Sequence, residues 1–370
     1  MDVTLEQRGR FARGSVVRLV EPSPLRVEPR CRHYERDRCG GCQLQHLAYE
    51  AQLAAKRQIA ADALARIGRR QVAVPPVVAS PLPWEYRNRL TLVVRLQSDG
   101  TRICGLHRYD APDRVFDLEE CPISKPQIVS AVVEVRRAAH LLPEARQLRV
   151  TLRSHREGIL MVLEGMGQWA SRERFRSACP SLVKVVWGLP RPAPGTAGTA
   201  SQAAESIVFE QVNPAVAKLL RELLVEWVLQ AGPRTIVDAY CGTGETAGAL
   251  SQRGIQVIGI ERQPEAAALA AARLPRGRVI TAPVEDALAS VLPADVVIVN
   301  PPRSGLSRQV TEILGNANAA SRILYVSCDP ATLARDLSRL PSYRVERLVC
   351  FDMFPQTAHL ETVCELVREA

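Results

Sequence analysis

The feature that most constrains this chain is a series of four short apolar runs in its second half. They are TIVDAY (235–240), QVIGI (256–260), DVVIVN (295–300) and ILYVSC (323–328). Each has the length and β-branched character of a buried strand, and helical patterns lie between them. Parallel strands cannot be joined by tight turns, so strands alternating with helices predict an α/β fold with a largely parallel sheet. Two further strand-like runs, YRVERLVCFD (343–352) and LETVCELV (360–367), close the chain.

The middle of the chain reads differently. Between about 84 and 190 lie short β-like runs, LTLVVRL, LRVTLR, GILMVLEG and LVKVVWGL, which predict a smaller α+β unit. Residues 43–68 have helical spacing and stop at Gly68. The Pro-, Gly-, Ala- and Ser-rich stretch 191–206 reads as a flexible linker. These breaks predict a basic segment over 1–30, a central domain over 31–205 and a C-terminal domain over 206–370. The prolines at 22, 24 and 29 argue against a compact domain in the first 30 residues.

Strand ends carry the candidate chemistry. TIVDAY runs into Cys241-Gly242-Thr243-Gly244, where glycines let a ligand approach the backbone, and QVIGI is followed by Glu261, an acid placed to bind ribose hydroxyls. Dinucleotide enzymes share this arrangement, so it does not choose the cofactor. DVVIVN ends in Asn300-Pro301-Pro302-Arg303, a polar group on a stiff loop suited to a flat base; the alternative is a plain strand-terminating turn. ILYVSC ends at Cys328, with Asp329-Pro330 opening a helix and Asp329 as its N-cap. A helix N-terminus favours a thiolate, so Cys328 is a candidate nucleophile, although buried core cysteines are commoner. Cys104, Cys179, Cys350 and Cys364 read as core.

Net charge is +9, and residues 1–70, with 14 basic and 8 acidic residues, supply +6 of it. Such a basic segment suits a phosphate backbone, although codon bias alone would account for arginine outnumbering lysine. No apolar run nears the roughly 20 residues of a membrane helix, and the N-terminus lacks a signal-peptide pattern, so a cytoplasmic protein without membrane contact is expected. Ten cysteines in such a chain argue for a metal or cluster cofactor over disulfides. Cys31-x₇-Cys39-x₂-Cys42 offers three thiolates, and Cys121 in DLEECPIS is the best fourth; zinc and a [4Fe–4S] cluster both accept four cysteines, and the spacing does not choose between them.

Taken together, VNPPRSGL, YVSCDPATLARDL, HLETVCELV, SIVFEQVNP (206–214) and CRHYERDRCGGCQLQH (31–46) resemble the RNA uracil-5-methyltransferase family, in the family's order and over about 31–370. The resemblance implies a Rossmann-like S-adenosylmethionine-dependent methyltransferase domain. It implies Cys328 as the nucleophile that adds to carbon 6 of uracil, and Glu361 as the base that removes the carbon 5 proton; read from the residues alone, Glu361 beside His359 is as well a surface ion pair. It implies Gln211, Tyr240, Gly242, Glu261 and Asn300 around the cofactor, and Phe209 stacked on the target base. It implies a [4Fe–4S] cluster on Cys31, Cys39, Cys42 and Cys121, with a structural role. It further implies an RNA substrate, ribosomal (23S) before transfer RNA, and a monomeric enzyme. Many relatives begin with a small β-barrel RNA-binding domain; with some 30 residues before Cys31, this chain is expected to lack that module or keep only its last strand, which leaves RNA binding to a surface of the central domain and to the arginine-rich segment.

Two positions depart from the family pattern: Asn300 stands where aspartate is usual, losing a charge near the base, and Glu245 stands where asparagine is common. Two other readings compete. Asn300-Pro301-Pro302 is also a loop of amino-methyltransferases, but those favour an aromatic where Arg303 stands and need no cysteine nucleophile. A non-catalytic RNA-binding protein is the other, with Cys328 and Glu361 counting against it.

Overall fold

The computed structural model describes residues 2–9, 11–164, 168–189 and 210–369. The 191–206 linker and Phe209 lie outside these residues. Strands β1 (Asp2–Arg8) and β2 (Phe11–Arg18) form an antiparallel hairpin. The first 30 residues thus begin with a two-stranded hairpin, and the prolines at 22, 24 and 29 all come after it.

A short helix α1 (Arg32–Glu35) follows, then α2 (Tyr49–Arg66). Helix α2 begins six residues later than the sequence pattern suggests. Gln43 and Leu44 instead donate their N–H groups to the Gln356 carbonyl, at 3.0 Å each, so the start of the amphipathic stretch is spent as a loop.

The central unit is a six-stranded sheet of β3 (Arg89–Leu96), β4 (Arg102–His107), β5 (Val115–Asp117), β6 (Gln147–His155), β7 (Gly158–Glu164) and β8 (Leu182–Leu189). Its order is β5-β4-β3-β6-β7-β8, antiparallel except for the β7–β8 pair. Leu90, Leu92 and Val94 alternate inward on β3, as one-sided burial requires. They pack on α3 (Pro126–Arg137) through Ile128, Val132 and Val135, and on Phe175 of α4 (Arg172–Ala178).

The C-terminal half opens with α5 (Pro214–Ala231), capped by Asn213 and stopped by Gly232 in the left-handed conformation. A seven-stranded sheet follows: β9 (Thr235–Ala239), β10 (Gln256–Glu261), β11 (Gly277–Thr281), β12 (Ala294–Val299), β13 (Ala320–Ser327), β14 (Tyr343–Phe351) and β15 (Glu361–Arg368). Interleaved helices are α6 (Glu245–Ser251), α7 (Pro264–Arg273), α8 (Val284–Ala287), α9 (Arg308–Gly315) and α10 (Pro330–Ser338). The order is β11-β10-β9-β12-β13-β15-β14, parallel until β15 enters antiparallel beside β13. The α/β expectation holds, with helices on both faces. One face buries Val216, Leu224 and Val228 of α5; the other buries Val310, Leu333 and Leu337 together with Ala60 and Leu64 of α2. Helix α2 thus packs on the catalytic half although it precedes the central sheet in the chain. Buried Lys56 fixes it there, pairing with buried Asp352 and donating to the Phe354 carbonyl at 3.0 Å. Cys104, Cys179, Cys350 and Cys364 are each fully buried core residues.

Candidate active site

Topology brings six candidate residues to one edge of the seven-stranded sheet. Parallel strands β10, β9, β12 and β13 all end there, in Glu261, Tyr240–Gly242, Asn300 and Cys328. Antiparallel β15 starts there, and its Thr362 pairs with Ser327, so Glu361 enters the sheet beside Cys328.

The turn after β9 is built for close approach. Tyr240, Gly242 and Gly244 have φ of 66°, 56° and 74°. A left-handed tyrosine costs about 1–3 kcal/mol and persists only where its surroundings hold it. A Cβ on Gly244 would lie 2.8 Å from Ala270, whereas the space over Gly242 is open. Glu261 Oε2 accepts the Gly242 N–H at 3.0 Å and Oε1 accepts the Gln263 N–H at 2.8 Å. The carboxylate so shapes the loop and keeps acceptor capacity for a ribose. Asn300 is exposed at the end of β12. Gln211 is half-buried, its carbonyl accepting from Asn88 Nδ2 at 3.2 Å. An open loop over glycine beside a strand-end carboxylate is a donor set that fits an adenosyl group.

Asp238, inside TIVDAY, belongs to this neighbourhood, and no sequence motif points to it. It is buried, and burial, with the Glu261 charge adding, pushes its carboxyl up to about 7. Its one sign in the sequence is a charged residue within an otherwise apolar strand.

Cys328 is half-buried just before α10, whose N-cap Asp329 accepts the Thr332 N–H at 2.9 Å. The thiolate-favouring helix end does not prevail here. Burial, then the Glu361 carboxyl, raise the thiol above its ordinary pKa, and Arg303 opposes them. Glu361 is 2 % exposed, and its Oε2 is buried with no hydrogen-bond partner. Burial pushes its carboxyl up to about 8, again against Arg303. His359 is held below its usual pKa by burial, then by Arg303 and Lys56. Glu361 is therefore a buried acid facing a thiol and not a surface ion pair.

Arg303 biases all three groups, a role the sequence does not signal. Its loop is clamped to α10. Thr332 Oγ1 donates to the Arg303 carbonyl at 3.3 Å, and Arg335 to the Ser304 carbonyl at 2.7 Å. Fully buried Asp336 accepts the Leu306 N–H at 2.8 Å and the Tyr325 hydroxyl at 2.7 Å. Gly305, at φ 76°, is required because a Cβ would collide with Thr332 and Asp336.

The second cluster lies in the central unit. Cys31, Cys39, Cys42 and Cys121 line a single small cavity of about 20 Å³. Fully buried His33 ties the loop down, with Nδ1 on Asp37 at 2.6 Å and Nε2 accepting the Glu119 N–H at 3.0 Å. Burial pushes Cys31 up to about 11 and Cys39 and Cys42 up to about 12, and their mutual repulsion adds to it. The Gly41 N–H and the Ser124 hydroxyl donate to Cys39 Sγ (3.4 Å) and Cys121 Sγ (3.3 Å). Among the described residues no three ligating side chains converge on one ion-sized point. Four thiols around a cavity, two already taking hydrogen bonds, are a donor set for a group with four corners.

Comparison with known proteins places the chain in a family. Residues 287–369 match the family model described as tRNA (Uracil-5-)-methyltransferase. An uncharacterized RNA methyltransferase of Thermosynechococcus vestitus is 34% identical, covering 96% of this chain and 88% of its own. The 23S rRNA (uracil(1939)-C(5))-methyltransferase RlmD of Thiobacillus denitrificans is 30% identical, covering 98% and 90%. The solved structure of Pyrococcus abyssi tRNA (uracil-54, C5)-methyltransferase with S-adenosyl-L-homocysteine superposes with a TM-score of 0.74 at 26% identity, covering 98% and 92%. The chain belongs to the RNA uracil-5-methyltransferase family and is an S-adenosylmethionine-dependent enzyme acting on RNA.

Proposed function

We propose that this enzyme methylates carbon 5 of a uridine in 23S ribosomal RNA, with Cys328 as covalent nucleophile and Glu361 as base. The observation that carries the reading is the pairing of the half-buried Cys328 thiol with a buried carboxyl, one oxygen of which has no hydrogen-bond partner, at the end of β13. Carbon 5 of uracil is a weak nucleophile. Cys328 Sγ, as thiolate, bonds to carbon 6, and the ring electrons move onto the carbon 4 oxygen. Those electrons return through carbon 5, which takes the methyl group. S-adenosylmethionine supplies that methyl as a sulfonium and leaves as S-adenosylhomocysteine. The Glu361 carboxylate then takes the proton from carbon 5, the carbon 5–carbon 6 double bond reforms, and Cys328 leaves as thiolate. Burial suits Glu361 to this step, since a base poised near the working pH is the more effective. Arg303 favours both anions at the moments they are needed. Gln211, Tyr240, Gly242, Glu261 and Asn300 line the adenosyl and base pockets.

A ribosomal target is supported by the 30% identical relative named for 23S rRNA. The structural relative named for transfer RNA supports the alternative, at 26% identity. Membership in this family removes the grounds for an amino-methyltransferase on Asn300-Pro301-Pro302 and for a non-catalytic binder. The Cys31, Cys39, Cys42 and Cys121 set, which lines one small cavity, would hold a [4Fe–4S] cluster in a structural role; the family resemblance of the cysteine loop favours it over a single zinc ion.

The test is RNA carrying 5-fluorouridine. Fluorine at carbon 5 cannot leave as a proton, so a covalent enzyme–RNA adduct should accumulate with S-adenosylmethionine and vanish in Cys328→Ala. A wild-type enzyme that methylates uridine yet gives no adduct would rule out the covalent route.

A further inference from the structure

The outer face of the central sheet is the least explained part of the molecule. Strands β3 and β6 bury one side, so alternate residues face outward: Arg89 and Thr91 on β3, and Arg149, Thr151 and Arg153 on β6. The register sets Arg89 directly across from Arg153, and Thr91 across from Thr151, with the two hydroxyls 3.0 Å apart. Like charges directly opposite on a sheet destabilise it unless something compensates them. Arg87, next along the chain, has a buried Nε without a hydrogen-bond partner. Crowding is real here: burial, then the neighbouring positive charges of Arg153 and Arg87, hold the Arg89 guanidinium below its ordinary pKa.

These arginines line one concavity of about 570 Å³, whose rim includes Gly40 and Gly41 of the cysteine loop and Arg108. Acidic side chains lie among these arginines. Glu210 pairs with Arg153, Glu164 lies 3.6 Å from Arg149, and Asp110 takes Arg108 at 3.0 Å. The concavity is also wired to the catalytic half. Asn88, between Arg87 and Arg89, donates its N–H to the Val212 carbonyl at 3.0 Å and its amide to the Gln211 carbonyl at 3.2 Å.

We propose that this arginine-lined concavity seats the phosphodiester backbone of the RNA flanking the target uridine. The inference rests on the RNA-methyltransferase reading and adds to it where the chain outside the base pocket is gripped. Arginine suits this task because its planar fork meets phosphate oxygens in pairs. The two central threonines and the glycine rim let a backbone lie close to the sheet. A phosphate between Arg89 and Arg153 brings further negative charge to the crowded cross-strand pair. The link through Asn88 to Gln211 connects occupancy of the concavity to the cofactor edge of the site.

The test compares wild type with Arg89→Gln/Arg149→Gln, and with Arg308→Gln, an exposed arginine on α9, as control. Binding to oligouridylate is measured over a salt series, with KM for ribosomal RNA and formation of the 5-fluorouridine adduct alongside. The double variant should bind about tenfold more weakly, and its salt slope should flatten by about 0.7 for each phosphate no longer neutralised. KM for RNA should rise with kcat and the adduct at saturating RNA largely kept, while Arg308→Gln matches wild type. Arg149→Lys, which keeps the charge, should recover most of the slope. Should the double variant not fold, Arg149→Gln alone reads the same slope. Unchanged affinity and slope in a folded variant would overturn the proposal. Loss of the wild-type adduct would instead count against the covalent reading and leave the slope comparison to decide the concavity.

Discussion

Cysteines at two sites sit in contrasting surroundings, and the contrast shows what each can do. In the central unit, Cys31, Cys39 and Cys42 are drawn in among apolar neighbours, pushed up to about 11 or 12, and surrounded by other thiols. At the sheet edge, Cys328 is also raised, but it is half-buried and has Arg303 beside it and a helix N-terminus behind it. The first arrangement favours thiolates only around a shared, positively charged group. The second leaves one thiol half-buried, with a single arginine opposing the rise. Partial exposure and a counter-charge, not acidity by itself, set the proposed nucleophile apart.

That contrast can be broken in several ways. Glu361→Gln should slow turnover by roughly 10²–10⁴, the range for losing a general base. Because addition and methyl transfer precede its step, the variant should pile up a covalent complex on ordinary uridine RNA, visible as a band shift on a denaturing gel. A slow variant without that band would remove Glu361 from the role. Lys56→Met should cost about 3–5 kcal/mol, since it leaves Asp352 as an uncompensated buried charge; a fall in Tm with α2 loosened, read by hydrogen exchange, checks it. Cys121→Ser should lower stability by about 3 kcal/mol, the scale of losing a ligand that binds only the folded state, and abolish any iron-derived visible absorption. An anaerobically purified wild type that is colourless with stoichiometric zinc would overturn the cluster assignment. The smallest effect concerns Arg303. Glu361 and Cys328 must both be ionised and both are raised, so kcat should climb as pH passes about 8 and go on rising while the thiol ionises. Arg303→Gln removes the charge that favours the carboxylate, so this limb should move up by roughly one pH unit. A limb that stayed in place would detach Arg303 from the pair.

What the sequence disclosed follows from where each residue's information lies. Strands β9, β10, β12 and β13 were legible because burial on both faces demands unbroken apolar runs. Strand β11, GRVIT, is an edge strand with no buried residue, so it leaves no such trace. The hairpin β1–β2 is likewise hidden, since the exposed side chains along it need no apolar pattern. Cys328 was recognisable from its place between a strand and a capped helix. Glu361 on its own was ambiguous, because a carboxylate at a strand start reads as surface until β15 is known to lie beside β13. Arg303, Asp238 and Lys56 owe their importance to neighbours far away in the chain, which no local pattern records.

The most direct measurement is to isolate the complex formed on 5-fluorouridine RNA, digest protein and RNA, and sequence the linked peptide by tandem mass spectrometry. A methylated fluorouridine on the sulfur of Cys328 is the expected result. The same nucleotide on another residue, or none on any peptide from an active enzyme, would contradict covalent catalysis through that thiol.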